Sequence, residues 1–473
     1  MNDILFKNAE PKVIAVTKQL EKWINDSSIF QGKVYYVGGC VRDLILGKPV
    51  KDIDIVVERE NGGLMLANYL AVKDKSWNIS KNPVVFETYG TAKVQLKSNP
   101  EFEGIELECV QTRKEQYHKE SRNPDTVYGT IKEDASRRDL TINSLYYNIS
   151  TGELKDFNGT GIYDLANKII RTPCDPDITF SDDPLRILRV IRFSARLGWD
   201  ISKETWLGMV KNAYRIDIVS QERITDEVSK ILCTDRPSMG IRKMLYCGIL
   251  HRVLPDIYDM QYTYESKNPA VTTFDHTMSV LEEIVDPRIE HRLAALFHDV
   301  GKAMAESDKS VSPNQFSADI AMADIRKMKY SNEVANTVAC AIRHHEWFST
   351  YTDGFMPPDK KIRKLMNSCG SSKNISATLD LMNANNQCRT YNKKKMQVLD
   401  VMKRIEELGE VEELADVKLP VDGNDIIKEL GMKKGPVIGI ILNELKEEYF
   451  ENPDITREEC LNRAKEIVMS LAV

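Results

Sequence analysis

VGGCVRDLILGKPVKDIDIVV, residues 37–57, is the stretch on which the reading of this chain turns. A strand ends in Gly38-Gly39, the chain enters a helix, and it returns in a second strand that carries Asp52 and Asp54. Side chains two apart on a strand point to the same face, so the two carboxylates stand side by side. Paired carboxylates suit two hard cations such as Mg²⁺, which prefer oxygen ligands and bind jointly to a nucleoside triphosphate. One cation lowers the pKa of an attacking hydroxyl and the other stabilises a leaving pyrophosphate. The glycine pair lets backbone approach phosphate closely, with helix N–H groups behind it. A lone Asp-x-Asp is weak evidence; the glycines and the Arg42-Asp43 pair before it make it specific.

The neighbouring segments extend the same chemistry. A third acid is expected from the strand IELECV, where Glu106 and Glu108 share a face and either suits the role. In EDASRRDLTINSLYYN, residues 133–148, adjacent Arg137 and Arg138 offer planar forks for triphosphate oxygens, Asp139 is placed to orient one of them, and Asn143 follows. In SDDPLRILRVIRFSARLG, residues 181–198, Asp183 and Arg186 are three apart and expected on one helical face. A carboxylate beside a guanidinium presents acceptors and donors in one plane, which imitates the pairing edge of a base. Cytosine and adenine both carry an exocyclic amine next to a ring-nitrogen acceptor, so one such pair accepts both and rejects uracil and guanine. Arg189, Arg192 and Arg196 continue along nearly the same face, as phosphate contacts or as structural partners of nearby acids.

The remainder fits an α+β chain. The runs KVYYVG, DIDIVV, AKVQL, IELECV and SLYYNI read as strands of a small, mainly antiparallel sheet with helices, whereas from about Asp182 onward apolar residues recur at spacings of three and four. Turn-rich breaks near 156, 266, 352 and 418 divide the 473 residues into a mixed head (1–150), a helical neck (151–265), a helical body (266–390) and a helical tail (391–473). With 42% hydrophobic and 29% charged residues the composition is that of an ordinary globular protein. No run reaches the roughly 20 apolar residues of a membrane span, and MNDILFKNAEPKV lacks signal-peptide character, so a cytoplasmic location and no membrane partner are expected. Nine scattered cysteines without a CxxC pair argue for reduced thiols. A net charge of −6 confines any nucleic-acid contact to local clusters such as Arg186 to Arg196, Lys360, Lys361, Arg363 and Lys364, and Lys393 to Lys395.

In this order, GGCVRD with DID, TYGTAKVQL, TRKEQY, RRDLTIN, NGTGIYDL, DDPLR and QERITDE resemble the class II tRNA nucleotidyltransferase family, which also includes bacterial poly(A) polymerases. The motifs cover about 200 residues. The resemblance implies metal binding by Asp52 and Asp54, triphosphate contact by Arg42, Arg137 and Arg138, and base selection by Asp183 and Arg186. It further implies template-free addition of C, C and A to the 3′ end of tRNA from CTP and ATP, with the helical part holding the acceptor and T arms and no obligatory protein partner. Where the family usually has Glu, this chain has Asp182. The rivals within the class are a CC-adding or A-adding specialist and a poly(A) polymerase.

FDHTMSVL, ALFHDVGK and IRHHEW resemble an HD-type phosphohydrolase domain, which would make His276, His298 and Asp299 ligands of a transition metal. The further His expected near 318 is absent from FSADIAMAD, and Asn385 stands where a late Asp is expected. A neutral amide in place of a charged ligand weakens such a site, so a scaffold role is the preferred expectation over a phosphohydrolase whose head merely tethers RNA. His344 and His345 offer themselves as completing ligands or as ordinary helical histidines.

Overall fold

Alternation of apolar and polar residues in Asp52–Val57 buries Ile53 and Ile55 and turns Asp52, exposed, and Asp54, half-buried, to the opposite face, which fixes the inner and outer faces of the head sheet. The computed structural model describes residues 5–50, 52–76, 82–86, 90–118, 121–265, 268–302, 311–349, 351, 356–388, 398–409, 418–452 and 454–471. Thr88 and Tyr89 of the TYGTAKVQL strand, the first two residues of the 266 break, the first four of the 352 break and the basic cluster Lys393 to Lys395 lie outside them. The chain divides into two compact units, Met1–Pro255 and Asp256–Val473.

In the first unit the strands are β1 (Val34–Val37), β2 (Asp52–Val57), β3 (Val84–Phe86), β4 (Thr91–Gln95), β5 (Glu106–Gln111), a separate hairpin of β6 (Arg113–His118) and β7 (Ser121–Tyr128), β8 (Leu145–Asn148) and β9 (Leu154–Asp156). Seven of them form one sheet in the order β3-β4-β5-β2-β1-β8-β9. Its pairs are antiparallel except β2 with β5, which run parallel, so the sheet is mixed. That parallel register sets Asp52 opposite Glu106 and Asp54 opposite Glu108.

The helices of this unit begin with α1 (Pro11–Asn25), α2 (Gly39–Ile45), α3 (Gly62–Lys73) and α4 (Ile131–Ser136). Helix α3 packs on β2, β4 and β5, and Gly63 permits it: a Cβ there would stand 2.7 Å from the Val110 backbone. The segment after the sheet is helical apart from a short parallel pair, Ile169–Ile170 with Asp200–Ile201: α5 (Gly161–Asn167), α6 (Pro176–Asp182), α7 (Leu185–Leu197), α8 (Lys203–Asn212), α9 (Gln221–Leu232) and α10 (Pro237–Tyr246). Helix α7 packs its apolar stripe, Ile187, Leu188, Val190 and Ile191, against α9 and α10.

The second unit is helical apart from a short antiparallel pair, Tyr264–Glu265 with Asn268–Thr272. Its helices include Thr273–Glu283, Ile289–Phe297, Pro313–Lys327, Asn332–His344, Asp359–Cys369 and Ser372–Cys388. No helix among the described residues is long and apolar enough to cross a membrane.

Candidate nucleotide-transfer site

Gly38 opens the site. It carries a positive φ of 76° at the turn from β1 into α2, and a Cβ there would lie 3.3 Å from Asp54 Oδ2 and 3.6 Å from Arg138 Nη1. A side chain would therefore intrude between the acidic strand and the arginine, which is why this backbone conformation falls to glycine. The cleft beyond it encloses about 660 Å³ and is lined by Gly38, Gly39, Arg42, Asp52, Asp54, Lys93, Glu106, Glu108, Arg138, Asp139, Asn143 and Arg189, among others.

The acids of this cleft repel one another. Burial pushes the Asp54 carboxyl up to about 6, and the Glu108 and Asp52 carboxylates add to the shift while Arg138 opposes it. Of the two acids on β5, Glu108 stands opposite Asp54 and Glu106 opposite Asp52. Lys93, on the adjacent strand β4, reaches both, 2.6 Å from Glu106 and 3.5 Å from Glu108. A carboxylate raised to about 6 by burial, with neighbouring carboxylates adding to the shift, is a group whose ionised form a cation stabilises, so Asp52, Asp54 and Glu108 fit a divalent metal. Enzymes built on this kind of head use divalent metals generally.

The arginines opposite are braced by an acid the sequence reading passed over. Asp134, fully buried on α4, accepts from Arg137 Nη2 at 2.6 Å, from Arg138 Nη2 at 3.0 Å and from the Tyr146 hydroxyl at 2.7 Å. Burial works to raise its pKa, but Arg138, Arg137 and the Tyr146 bond outweigh this and hold the carboxyl below the ordinary range. Asp139 was expected to orient one of these arginines and does not. It turns instead to Arg189, with contacts of 2.9 and 2.6 Å, and accepts from Asn143 at 3.1 Å. Burial raises the Asp139 pKa, yet Arg189 and Asn143 bring it down to about 2. The reason for the exchange is geometric: Asp134 lies one helical turn before Arg137 and Arg138, whereas Asp139 follows the end of α4 and faces α7.

Arg42 is only 2% exposed. It forks onto Asp43 at 2.9 and 2.8 Å, donates to Asn143 at 2.6 Å and lies over the Phe193 ring. It thus ties α2 to the segment before β8 as well as lining the cleft.

A second cavity of about 370 Å³ shares Asp54, Glu108, Arg138, Asp139 and Arg189 with the first and adds Asp183, Arg186 and Arg223. Asp183 was expected on a helical face with Arg186. It sits instead in the extended link between α6 and α7, because Pro184 ends the helical run before it. One of its oxygens caps the Leu185 N–H at 3.2 Å and the other pairs with Arg223 at 2.9 Å, while Arg186 follows in the first turn of α7. Arg223 belongs to QERITDE, a motif that carried no assigned role in the sequence. The same motif supplies Glu227, buried between Arg192 at 2.7 Å and Arg189 at 3.6 Å. Of the two roles expected of Arg192, nucleotide contact or structural partner of a nearby acid, the structure shows the second: it is held in that ion pair and is absent from the linings of the two cavities. Arg196 lines the first cavity.

In the second unit, His276, His298 and Asp299 converge, each offering a ligand atom within 4.8 Å of the others. The His298 Nδ1 lies 2.8 Å from the Ala295 carbonyl and so carries the proton, which leaves Nε2 toward Asp299 at 3.0 Å. Lys302 is 2.6 Å from the same Asp299 oxygen, and Asn385 stands 3.2 Å from His276 Nε2. Burial and His298 push His276 down to about 4. Asp299 is held well below its usual range: burial opposes this, and His298, Lys302 and His276 prevail. His345 joins this group, its ring 5.4 Å from that of His298, whereas His344 turns elsewhere.

Residues 34–171 match the family model for the poly A polymerase head domain, and residues 198–260 that for a probable RNA- and SrmB-binding site of polymerase A. The chain is 27% identical to a tRNA nucleotidyltransferase of Schizosaccharomyces pombe over 95% of this chain and 94% of that one. It is 31% identical to the multifunctional CCA protein of Paraburkholderia phymatum over 66% of this chain and 74% of its relative. Its fold is similar to that of the Bacillus stearothermophilus CCA-adding enzyme solved in complex with CTP, with a TM-score of 0.66, 18% identity, and coverage of 98% and 99%.

Proposed function

The chain belongs to the family of CCA-adding tRNA nucleotidyltransferases with a poly(A) polymerase-type head, and on that premise we propose that it adds C, C and A to the 3′ end of tRNA from CTP and ATP without a nucleic-acid template. The observation that carries the reading is the shared wall of the two cavities: the acidic strand and Arg138 face one space that continues to Asp183, Arg186 and Arg223.

In this reading Asp52, Asp54 and Glu108 hold two Mg²⁺ ions. When bound, these supply activation of the attacking hydroxyl and neutralisation of charge on the departing pyrophosphate. The chain's own groups do the positioning. Arg138, with Arg137 beside it, receives triphosphate oxygens in an orientation fixed by Asp134, and the Gly38-Gly39 backbone allows close approach. The 3′-hydroxyl of the RNA then attacks the α-phosphorus in line as the bond to pyrophosphate breaks. Asp183, with Arg186 and now Arg223 flanking it, offers the acceptor and donors that read the edge shared by cytosine and adenine. Arg42 and Asn143 hold α2 in register, and Arg189 fixes Asp139 beside the base-reading cavity. In this reading the HD-like cluster of the second unit serves as scaffold: Asp299 is engaged by Lys302 at 2.6 Å, and the neutral amide of Asn385 stands at His276 where a charged ligand was expected.

The test uses tRNA lacking its last three nucleotides, with CTP alone, ATP alone and both. Products extended by two nucleotides with CTP and by three with both support the reading. Extension by two only, by a single A only, or by a long A tail would assign a CC-adding, A-adding or poly(A)-forming enzyme instead.

A further inference from the structure

A second group of ligand-type side chains in the second unit is separate from the His276 cluster. Cys340, His344 and Cys369 each offer one atom within 4.8 Å of the others. We propose that this group binds a soft transition-metal dication of the zinc type through two thiolates and one imidazole. This inference is independent of the nucleotide-transfer reading.

The fold presents the ligands from two rigid helix ends. Cys340 and His344 are one turn apart on the helix Asn332–His344 and so share a face, and Cys369 closes the helix Asp359–Cys369 before Gly370, whose φ of 69° ends it. Asn374 pins the two ends together: it accepts from Thr337 of the first helix at 2.8 Å and donates to the Cys369 carbonyl at 2.7 Å. The Cys340 and Cys369 sulfurs lie within 4.8 Å of each other, and Cys369 Sγ lies 3.6 Å from Thr378 Oγ1. In a tetrahedral zinc site, ligand atoms stand roughly 3.3–3.8 Å apart, so side-chain rotation alone brings this set into range.

Two features point to a ligand rather than to ordinary packing. The His344 Nδ1 is buried and has no hydrogen-bond partner among the described residues, an expense a core histidine normally avoids. The two sulfurs beside it belong to free thiols, engaged in no disulfide. Two thiolates, a neutral imidazole and a dication sum to zero charge, which the surrounding apolar cluster of Phe348, Ile362, Leu365 and Met366 tolerates. A disulfide between Cys340 and Cys369 would need an oxidant and leave His344 unexplained.

Cobalt(II) is the probe, added to the reduced, metal-stripped full chain. The His276 cluster has no thiol, so intense near-ultraviolet thiolate-to-cobalt absorption reports only on a cysteine site. Saturation at about one equivalent, with absorption at least about tenfold weaker in Cys369→Ser and in His344→Ala and unchanged in Cys233→Ser, is the expected result. In the unsubstituted chain, zinc should protect two thiols from alkylation and a chelator should expose them, a readout that does not depend on variants folding. Absence of thiolate absorption with excess cobalt, or equal alkylation with and without zinc, would overturn the proposal. So would a Cys340–Cys369 disulfide in protein purified anaerobically with zinc present.

Discussion

The head cleft and the His276 cluster of the second unit both gather buried ionisable groups, but they balance their charge differently. In the second unit the set closes on itself: Asp299 meets Lys302 at 2.6 Å and His298 at 3.0 Å, and Lys302 goes on to Glu265 at 2.8 Å. In the head Lys93 pairs with Glu106 and Glu108 on the neighbouring strand, but the set does not close on Asp54. Asp134 holds Arg137 and Arg138, while Asp54 is left among carboxylates with its pKa pushed up to about 6. Charge that is satisfied internally is structural; charge left facing a cleft is available to a substrate or a metal.

The largest effect expected of this contrast falls on the acidic strand. Asp54→Ala should lower nucleotide addition by about a thousandfold, ~4 kcal/mol of barrier, while tRNA affinity measured by filter binding changes little. Next comes the brace. Asp134→Ala deprives two partly exposed guanidiniums of the carboxylate that braces them and should cost ~1–3 kcal/mol of stability, with a raised KM for both CTP and ATP. Asp134→Asn keeps the shape and should raise KM more than it lowers the melting temperature. If KM were unchanged in both variants, the brace would be purely structural. In the second unit, Asp299→Asn should lower stability by ~1–3 kcal/mol and leave the addition rate within about twofold. A loss of addition comparable to that of Asp54→Ala would erase the distinction between the two clusters.

Legibility followed the same line. The strand-borne pair Asp52 and Asp54 and the Arg137-Arg138 forks were visible because period-two alternation and adjacency are local properties. Which acid of β5 faces which Asp was not, since that needs the parallel register of β2 with β5, a pairing between segments some fifty residues apart that sets Glu106 opposite Asp52 and Glu108 opposite Asp54. Asp134 was overlooked for a related reason: its sequence neighbour Asp139 competed for the same role, and only the end of α4 shows which acid lies one turn from the arginines. Arg223 lies forty residues from Asp183, and no periodicity links them. The fold class was legible throughout, because the change from short alternating runs to spacings of three and four near Asp182 is a property of the sequence itself.

Two smaller effects sharpen the comparison. The folded Asp54 carboxyl titrates near 6, above its value in the unfolded chain, so proton binding stabilises the metal-free fold as pH falls through 6 and competes with Mg²⁺ there. The Mg²⁺ concentration for half-maximal addition should rise roughly fourfold between pH 7.5 and 5.5, in step with the fraction of Asp54 left ionised. An unchanged requirement in Asp54→Glu or in the parent would place the titrating group elsewhere. Arg223→Ala should relax discrimination against UTP by about tenfold, ~1.4 kcal/mol, measured as a ratio of kcat/KM values.

The most direct measurement sets Asp52→Ala/Asp54→Ala beside His276→Ala/Asp299→Ala on tRNA lacking its last three nucleotides, with CTP, ATP and Mg²⁺ supplied. The account predicts no extension by the first variant and full three-nucleotide extension by the second. Extension by the first, or its loss in a folded sample of the second, would contradict the assignment of the chemistry to the head.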